Sequence, residues 1–104
     1  MTSSIIKDSK SGHWFLYILR CSDNTFYTGI TNDLQRRLDK HNDGRASRYT
    51  RGRLPVQLIY HERCRNKSSA LKKEYTLKSL TRREKIHYIK KNANLPVSPG
   101  VLPE

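Results

Sequence analysis

Acidic residues, cysteines and long apolar runs are all scarce in this chain of 104 residues. The two cysteines, Cys21 and Cys64, cannot build a disulfide framework or a four-ligand zinc site, so the fold must rest on packing. No apolar stretch approaches the roughly 20 residues of a membrane span. The opening residues, MTSSIIKDSKSGH, lack the apolar centre of a secretory signal. A membrane or exported protein is not expected, and a reduced, cytoplasmic compartment is. Leu, Ile, Val and Phe together number 23, only a little above the ~20% at which a highly charged chain stays unfolded. The chain has room for one small domain with a thin core.

What it has in excess is positive charge. Lys and Arg number 21 against nine Asp and Glu, a formal charge of +12. Residues 34–53 carry seven basic and two acidic side chains and residues 65–91 carry ten and two, so the whole excess lies in these two windows. Basic residues that merely solvate small helices would be one explanation. A polyanion partner is the stronger one, because each Lys or Arg that displaces counterions from a phosphate backbone adds affinity. No basic segment carries the broad Trp/Phe/Leu face of a membrane-surface helix, so no membrane partner is expected.

The Ser- and Lys-rich residues 1–12 read as a loose arm, and residues 92–104, with Pro96, Pro99, Gly100 and Pro103, as a tail that cannot continue a helix. The folded part is therefore 13–91. Trp14 to Cys21 (WFLYILRC) reads as a strand buried on both faces. A polar turn, Ser22 to Thr25, leads to a second strand, Phe26 to Ile30, making a hairpin. Gly29 within it suggests a bulge or the close approach of another group. Thr31 or Asn32 caps a helix to about Asn42, with Gly44 just beyond its end. A basic loop, Arg45 to Arg53, precedes a third strand, Val56 to Arg63, in which Val56, Leu58 and Tyr60 alternate with Gln57 and His61. Ser68 or Ser69 caps a helix to about Leu80, and the capping box Thr81-Arg82-Arg83-Glu84 opens another through Lys91. The order ββαβαα predicts an α/β domain of the α+β type, a three-stranded sheet flanked by helices.

Within this frame certain polar residues fall where apolar ones belong. At about 100° per residue, Arg37 and His41 lie beside Leu34 and Leu38, while Arg36 and Lys40 lie opposite. Arg37 and His41 are also an i, i+4 pair whose heads can converge. On the next helix Glu74 sits on the face of Ala70 and Leu77. A carboxylate there must be paired with a cation, either a structural Lys or Arg or a metal ion. Tyr17 and Tyr27 lie on adjacent strands. A single strand tyrosine is ordinarily a packing residue, but two phenols, an Arg, a His and a carboxylate around one sheet supply what phosphodiester hydrolysis needs: a base, a cation for the phosphoryl oxygens and a metal ligand.

Leu16-Tyr17-Ile18, followed ten residues later by Tyr27-Thr28-Gly29 and then by Arg37, His41 and Glu74, resembles the GIY-YIG nuclease domain, most closely its small stand-alone bacterial members of the YhbQ type. The likeness runs over about Trp14 to Lys91. It implies a cytoplasmic or nucleoid bacterial endonuclease that hydrolyses DNA in repair or recombination, acting as a monomer or weak homodimer. It further implies that Tyr17 or Tyr27 assists deprotonation of the attacking water, with His41 as an additional base. Arg37 would hold the phosphate, and Glu74 would be the only protein carboxylate on a single divalent cation, Mg²⁺ or Mn²⁺. Gly29 would let the backbone approach the substrate, and Arg36, Lys40, Arg45, Arg48, Arg51, Lys78 and Arg82 would line the nucleic-acid surface.

The sequence departs from the family pattern in reading LYI for GIY and YTG for YIG. It places Ile30 where several members have Lys and Ile86 where many have Asn, leaving Lys78 or Lys85 to contact phosphate instead. The alternative function is a nucleic-acid-binding module that keeps the nuclease fold with little or no catalysis. His13, His61 and His87 have no metal-ligand spacing, and Trp14 reads as a core anchor. The two last helices lack the glycine usual at a helix-turn-helix junction.

Overall fold

The computed structural model describes residues 13–93; the arm expected at 1–12 and nearly all of the expected tail, 94–104, lie outside them. The apolar run near the start forms β1 (Trp14–Arg20), the central strand of an antiparallel sheet of order β2-β1-β3, with β2 at Phe26–Thr31 and β3 at Gln57–Cys64. Centrality explains the run's composition. Leu16 and Ile18 point into one apolar cluster, while Phe15, Tyr17 and Leu19 point into another on the opposite face. A strand covered on both sides has no place for a polar alternation.

Four helices cover the sheet where three were expected: α1 (Leu34–Asn42), α2 (Arg48–Arg51), α3 (Lys67–Lys78) and α4 (Arg82–Asn92). The extra one, α2, lies in the segment read as a basic loop. A single turn of helix is too short to show periodicity; it forms because the Ser47 hydroxyl accepts from the Tyr49 and Thr50 amides. Two caps shift for a related reason. Asp33, not Thr31 or Asn32, caps α1 by accepting from the Arg36 amide at 3.1 Å. Asn66 caps α3, two residues before the expected serines. Capping residues of one class stand side by side at both places, and propensity does not separate neighbours. The Thr81–Glu84 capping box forms as expected, and Gly44 takes the left-handed φ of +77° beyond α1.

The third strand corrects the sequence reading. Register with β1 shifts between Ile18–Tyr60 and Leu19–Leu58, so Ile59 is an extra residue. This bulge sends Leu58 to the Tyr17 face and Tyr60 to the Leu16 face, where strict alternation would have kept them together.

One polar knot ties the helices to the Leu16 face. The Glu62 carboxylate accepts from the Tyr60 hydroxyl and from the Tyr88 hydroxyl at 2.6 Å, and it pairs with Lys73 Nζ at 2.9 Å. Burial pushes its pKa up, but Lys73 and the two phenols more than offset this and hold it below the ordinary carboxylate value. The knot joins β3 to α3 and α4 and leaves the opposite face of the sheet to α1 and α2.

Candidate active site

Tyr17 enters that opposite face from the middle of β1. It stands opposite Gly29 of β2, and its ring occupies the space a side chain there would need: a Cβ built on Gly29 would lie 2.6 Å from the Tyr17 hydroxyl oxygen. The close approach expected at Gly29 is therefore that of Tyr17, and the bulge lies in β3 instead. Tyr27 lies two residues back along β2, with its ring centroid 6.4 Å from that of Tyr17. α1 supplies His41, which meets both phenols edge-on with centroids 5.8 Å and 5.1 Å away. The helix buries Leu34 and His41, keeps Arg37 and Leu38 half-buried, and exposes Arg36 and Lys40, matching the sidedness read from spacing.

The hydrogen bonds around His41 form a directed chain. Its Nε2 lies 2.9 Å from the Tyr17 hydroxyl, and its Nδ1 lies 2.8 Å from Thr50 Oγ1. The Thr50 hydroxyl donates to the Ser47 carbonyl at 3.4 Å. Assigning the Thr50 proton to that carbonyl makes the Thr50 oxygen the acceptor for Nδ1–H and leaves Nε2 to accept from Tyr17. The order Tyr17 O–H to Nε2, Nδ1–H to Thr50, Thr50 O–H to Ser47 carbonyl satisfies every group with one tautomer. Both ring nitrogens are thereby engaged inside a core position where His41 is only 1% exposed.

Electrostatics fixes the charge of the ring, not its tautomer. Burial, with help from the nearby Arg37 guanidinium, pushes the His41 pKa down to about 4, so the ring is neutral at pH 7. Burial is also the main cause that drives the Tyr17 pKa well above 10. Tyr27 and the Glu74 carboxylate add to the rise, and Arg37 opposes it. All four other members of the expected set thus act on Tyr17. Arg37 lines a crevice with Tyr17, Leu19, Leu34, Leu38 and Leu58, and its guanidinium makes no hydrogen bond or ion pair among the described residues.

Glu74 stands on the flank of the packing face of α3, not at its centre: Ala70 and Leu77 are buried, and the Glu74 side chain is 19% exposed. Lys78 Nζ pairs with it at 3.2 Å, which is the structural ion pair the sequence allowed. The pairing also tests the site's fit to a metal. A positive charge already rests on an oxygen donor of the kind Mg²⁺ or Mn²⁺ prefers, while no cluster of three or more His, Cys, Asp or Glu occurs among the described residues. Among the described residues Glu74 therefore offers a metal one carboxylate, which Lys78 already neutralises.

The expected substrate-binding residues divide. Arg36, Lys40, Arg48 and Arg51 are exposed. Arg45 is exposed but paired with Asp43, and Lys78 is held by Glu74. Arg82 is committed elsewhere, donating to the Asn24 carbonyl at 2.6 Å and covering the Phe26 ring; it braces the hairpin turn. Ile30 packs against the core and Ile86 is part of it.

Two residues of the site escaped the sequence reading. Thr50 lies nine residues after His41 in a segment with no periodic signal. Tyr49 stacks on Tyr27 at 6.1 Å and is covered in turn by Arg53 at 4.0 Å, whose Nε is fixed to Asp23. The Ser47 cap, which makes α2, turns Thr50 into the core and lays Tyr49 against Tyr27.

Comparison with known proteins agrees with the geometry. The family model described as the GIY-YIG catalytic domain matches residues 13–88. A UPF0213 protein of Streptococcus agalactiae is 48% identical over 80 residues, 77% of this chain and 91% of that one. A UPF0213 protein of Bacillus pumilus is 49% identical over 80 residues, 77% and 81% of the two chains. Among solved structures, the solution NMR structure of a UPF0213 protein from Bacillus halodurans is 38% identical, with a TM-score of 0.53 over 79% of this chain and 87% of that one. That of a protein from E. faecalis is 36% identical, with a TM-score of 0.58 over 83% and 92%. The strand tyrosines, the α1 arginine and histidine and the α3 glutamate thus stand in a chain that belongs to the GIY-YIG domain family.

Proposed function

We propose that this protein is a divalent-metal-dependent DNA endonuclease that hydrolyses phosphodiester bonds, with repair or recombination as its setting. The observation that carries the reading is the chain of contacts from Tyr17 through His41 to Thr50, beside an Arg37 whose guanidinium has no hydrogen bond or ion pair among the described residues. Here a neutral imidazole presents a bare nitrogen to a phenol that cannot ionise alone.

Hydrolysis then proceeds as a relay. As water attacks phosphorus, its proton passes to the Tyr17 oxygen while the Tyr17 proton moves to His41 Nε2; the bond to the leaving oxygen breaks in the same step. Arg37 binds the non-bridging phosphate oxygens, and Tyr27, whose ring stands beside those of Tyr17 and His41, would border the water. The phosphate's negative charge offsets the field of Arg37 at His41, the smaller of the two causes of its low pKa after burial. Glu74 would hold the divalent ion, which supplies charge stabilisation at the leaving oxygen when bound. The exposed basic residues of α1 and α2 would hold the flanking backbone.

The binding module without catalysis has one observation in its favour: Ile30 and Ile86 turn into the core and offer no polar group. The discriminating experiment incubates the protein with supercoiled plasmid and branched oligonucleotides, with and without Mg²⁺ or Mn²⁺. Metal-dependent cleavage that disappears in Glu74→Ala and Arg37→Ala supports the nuclease. Salt-sensitive binding with no cleavage under any metal supports the module.

A further inference from the structure

Among the described residues three large apolar side chains are exposed: Tyr49, Leu71 and Tyr75. Tyr49 is sandwiched between Tyr27 and Arg53. Leu71 and Tyr75, by contrast, are 47% and 81% exposed, and the Tyr75 phenol has neither a hydrogen bond nor a ring contact among the described residues. They lie one turn apart on α3, so their side chains are neighbours.

The surroundings of Tyr75 say what it is placed to meet. On a helix, the residues three before and three after Tyr75 share its face; these are Lys72 and Lys78, both exposed. No acidic residue shares that face. Glu74 lies about 100° around the helix, turned toward the sheet, and Lys78 stands between the two, bonded to Glu74. The aromatic ring therefore lies about 100° around α3 from the carboxylate expected to hold the metal, with Lys78 between them and Lys72 on its other side. A second copy of the chain docking symmetrically on this face would bring four lysines together in a molecule of charge +12, which opposes self-association.

We propose that Tyr75 is a stacking platform for an unpaired base of the DNA that flanks the scissile phosphate, with Lys72 holding an adjoining phosphate. The inference rests on the nucleic-acid reading above and sharpens it. It makes the substrate one that offers unstacked bases, such as a flap, a frayed end or a branch, because a fully paired duplex hides its base faces and leaves Tyr75 unused.

The test measures binding of the full chain without divalent cation, so that cleavage plays no part. The probes are a fluorescent single strand, a flapped duplex and a blunt duplex of equal length. Tyr75→Ala is expected to weaken binding of the first two by about 5- to 100-fold, the range for a lost base–aromatic stack, and to leave the blunt duplex within about twofold. Tyr75→Phe and Tyr75→Trp should retain wild-type binding, and a 2-aminopurine at the junction should be quenched by wild type and not by Tyr75→Ala. Equal losses on all three probes, no loss on any, or a change in oligomeric state on gel filtration of Tyr75→Ala would overturn the inference. A chain that behaves as expected here yet cleaves nothing removes the nuclease reading alone; one that cleaves while Tyr75→Ala binds normally removes this inference alone.

Discussion

Replacing Thr50 by Val deletes one hydroxyl from a residue that is fully buried and keeps its shape. In the native chain that hydroxyl accepts His41 Nδ1–H at 2.8 Å and donates to the Ser47 carbonyl. Its loss leaves a buried N–H without an acceptor, costing about 1–3 kcal/mol. The imidazole avoids that cost by moving its proton to Nε2. It then donates to the Tyr17 oxygen and can no longer take the Tyr17 proton. A general base misplaced in this way costs about 10²- to 10⁴-fold in rate. The expected outcome for Thr50→Val is a modest loss in denaturant unfolding free energy and a much larger loss of single-turnover cleavage, with nitrogen NMR showing the His41 proton on Nε2. Thr50→Ser keeps the hydroxyl and should recover most of the rate. If Thr50→Val cleaved at the native rate, or kept the proton on Nδ1, the directed chain would not be what sets the base.

Other consequences follow from the same geometry. Because the folded-state pKa of His41 is about 4 and an unfolded histidine titrates near about 6.5, only the unfolded state gains that proton between these values. Stability should be constant with respect to His41 above about pH 6.5 and fall as pH is lowered toward 4, by at most about 3 kcal/mol; chemical denaturation of wild type and His41→Gln across this window checks it. Arg37→Met removes the neighbouring positive charge and should raise the His41 pKa in an NMR titration. Gly29→Ala forces a Cβ against the Tyr17 ring, so it should destabilise the domain by about 1–3 kcal/mol and lower cleavage by displacing the phenol from His41; thermal melts and rates together test this. Lys78→Met removes the ammonium that competes for Glu74 and should tighten Mn²⁺ binding in titration calorimetry by up to about fivefold, the scale of a partly exposed ion pair.

How much of this was legible in the sequence depends on whether a residue's role follows from its own segment. β1 was readable because an apolar run of that length with turn residues behind it has one use in a small domain. The sidedness of α1 placed Arg37 and His41 on the buried face before any fold was known. The spacing of the tyrosines, Arg37, His41 and Glu74 carried the family. By contrast, Tyr60 was assigned to the wrong face because the bulge at Ile59 is set by pairing with β1, not by β3 itself. The Glu62 knot joins side chains from β3, α3 and α4, and no local pattern announces it. Thr50 was missed for the same reason: its hydroxyl matters only once a four-residue helix swings it under His41. Arg82, read as a substrate contact from its charge, is occupied by the turn at Asn24. Contacts distant in sequence are where charge and propensity arguments stop.

The most direct test of the account is the single-turnover rate of Tyr17→Phe on a metal-loaded DNA substrate. The change removes one oxygen, the one 2.9 Å from His41 Nε2, and leaves the ring that fills the space over Gly29. A folded Tyr17→Phe protein that binds DNA normally and cleaves about 10²- to 10⁴-fold more slowly is the predicted result. Cleavage at the wild-type rate would contradict it.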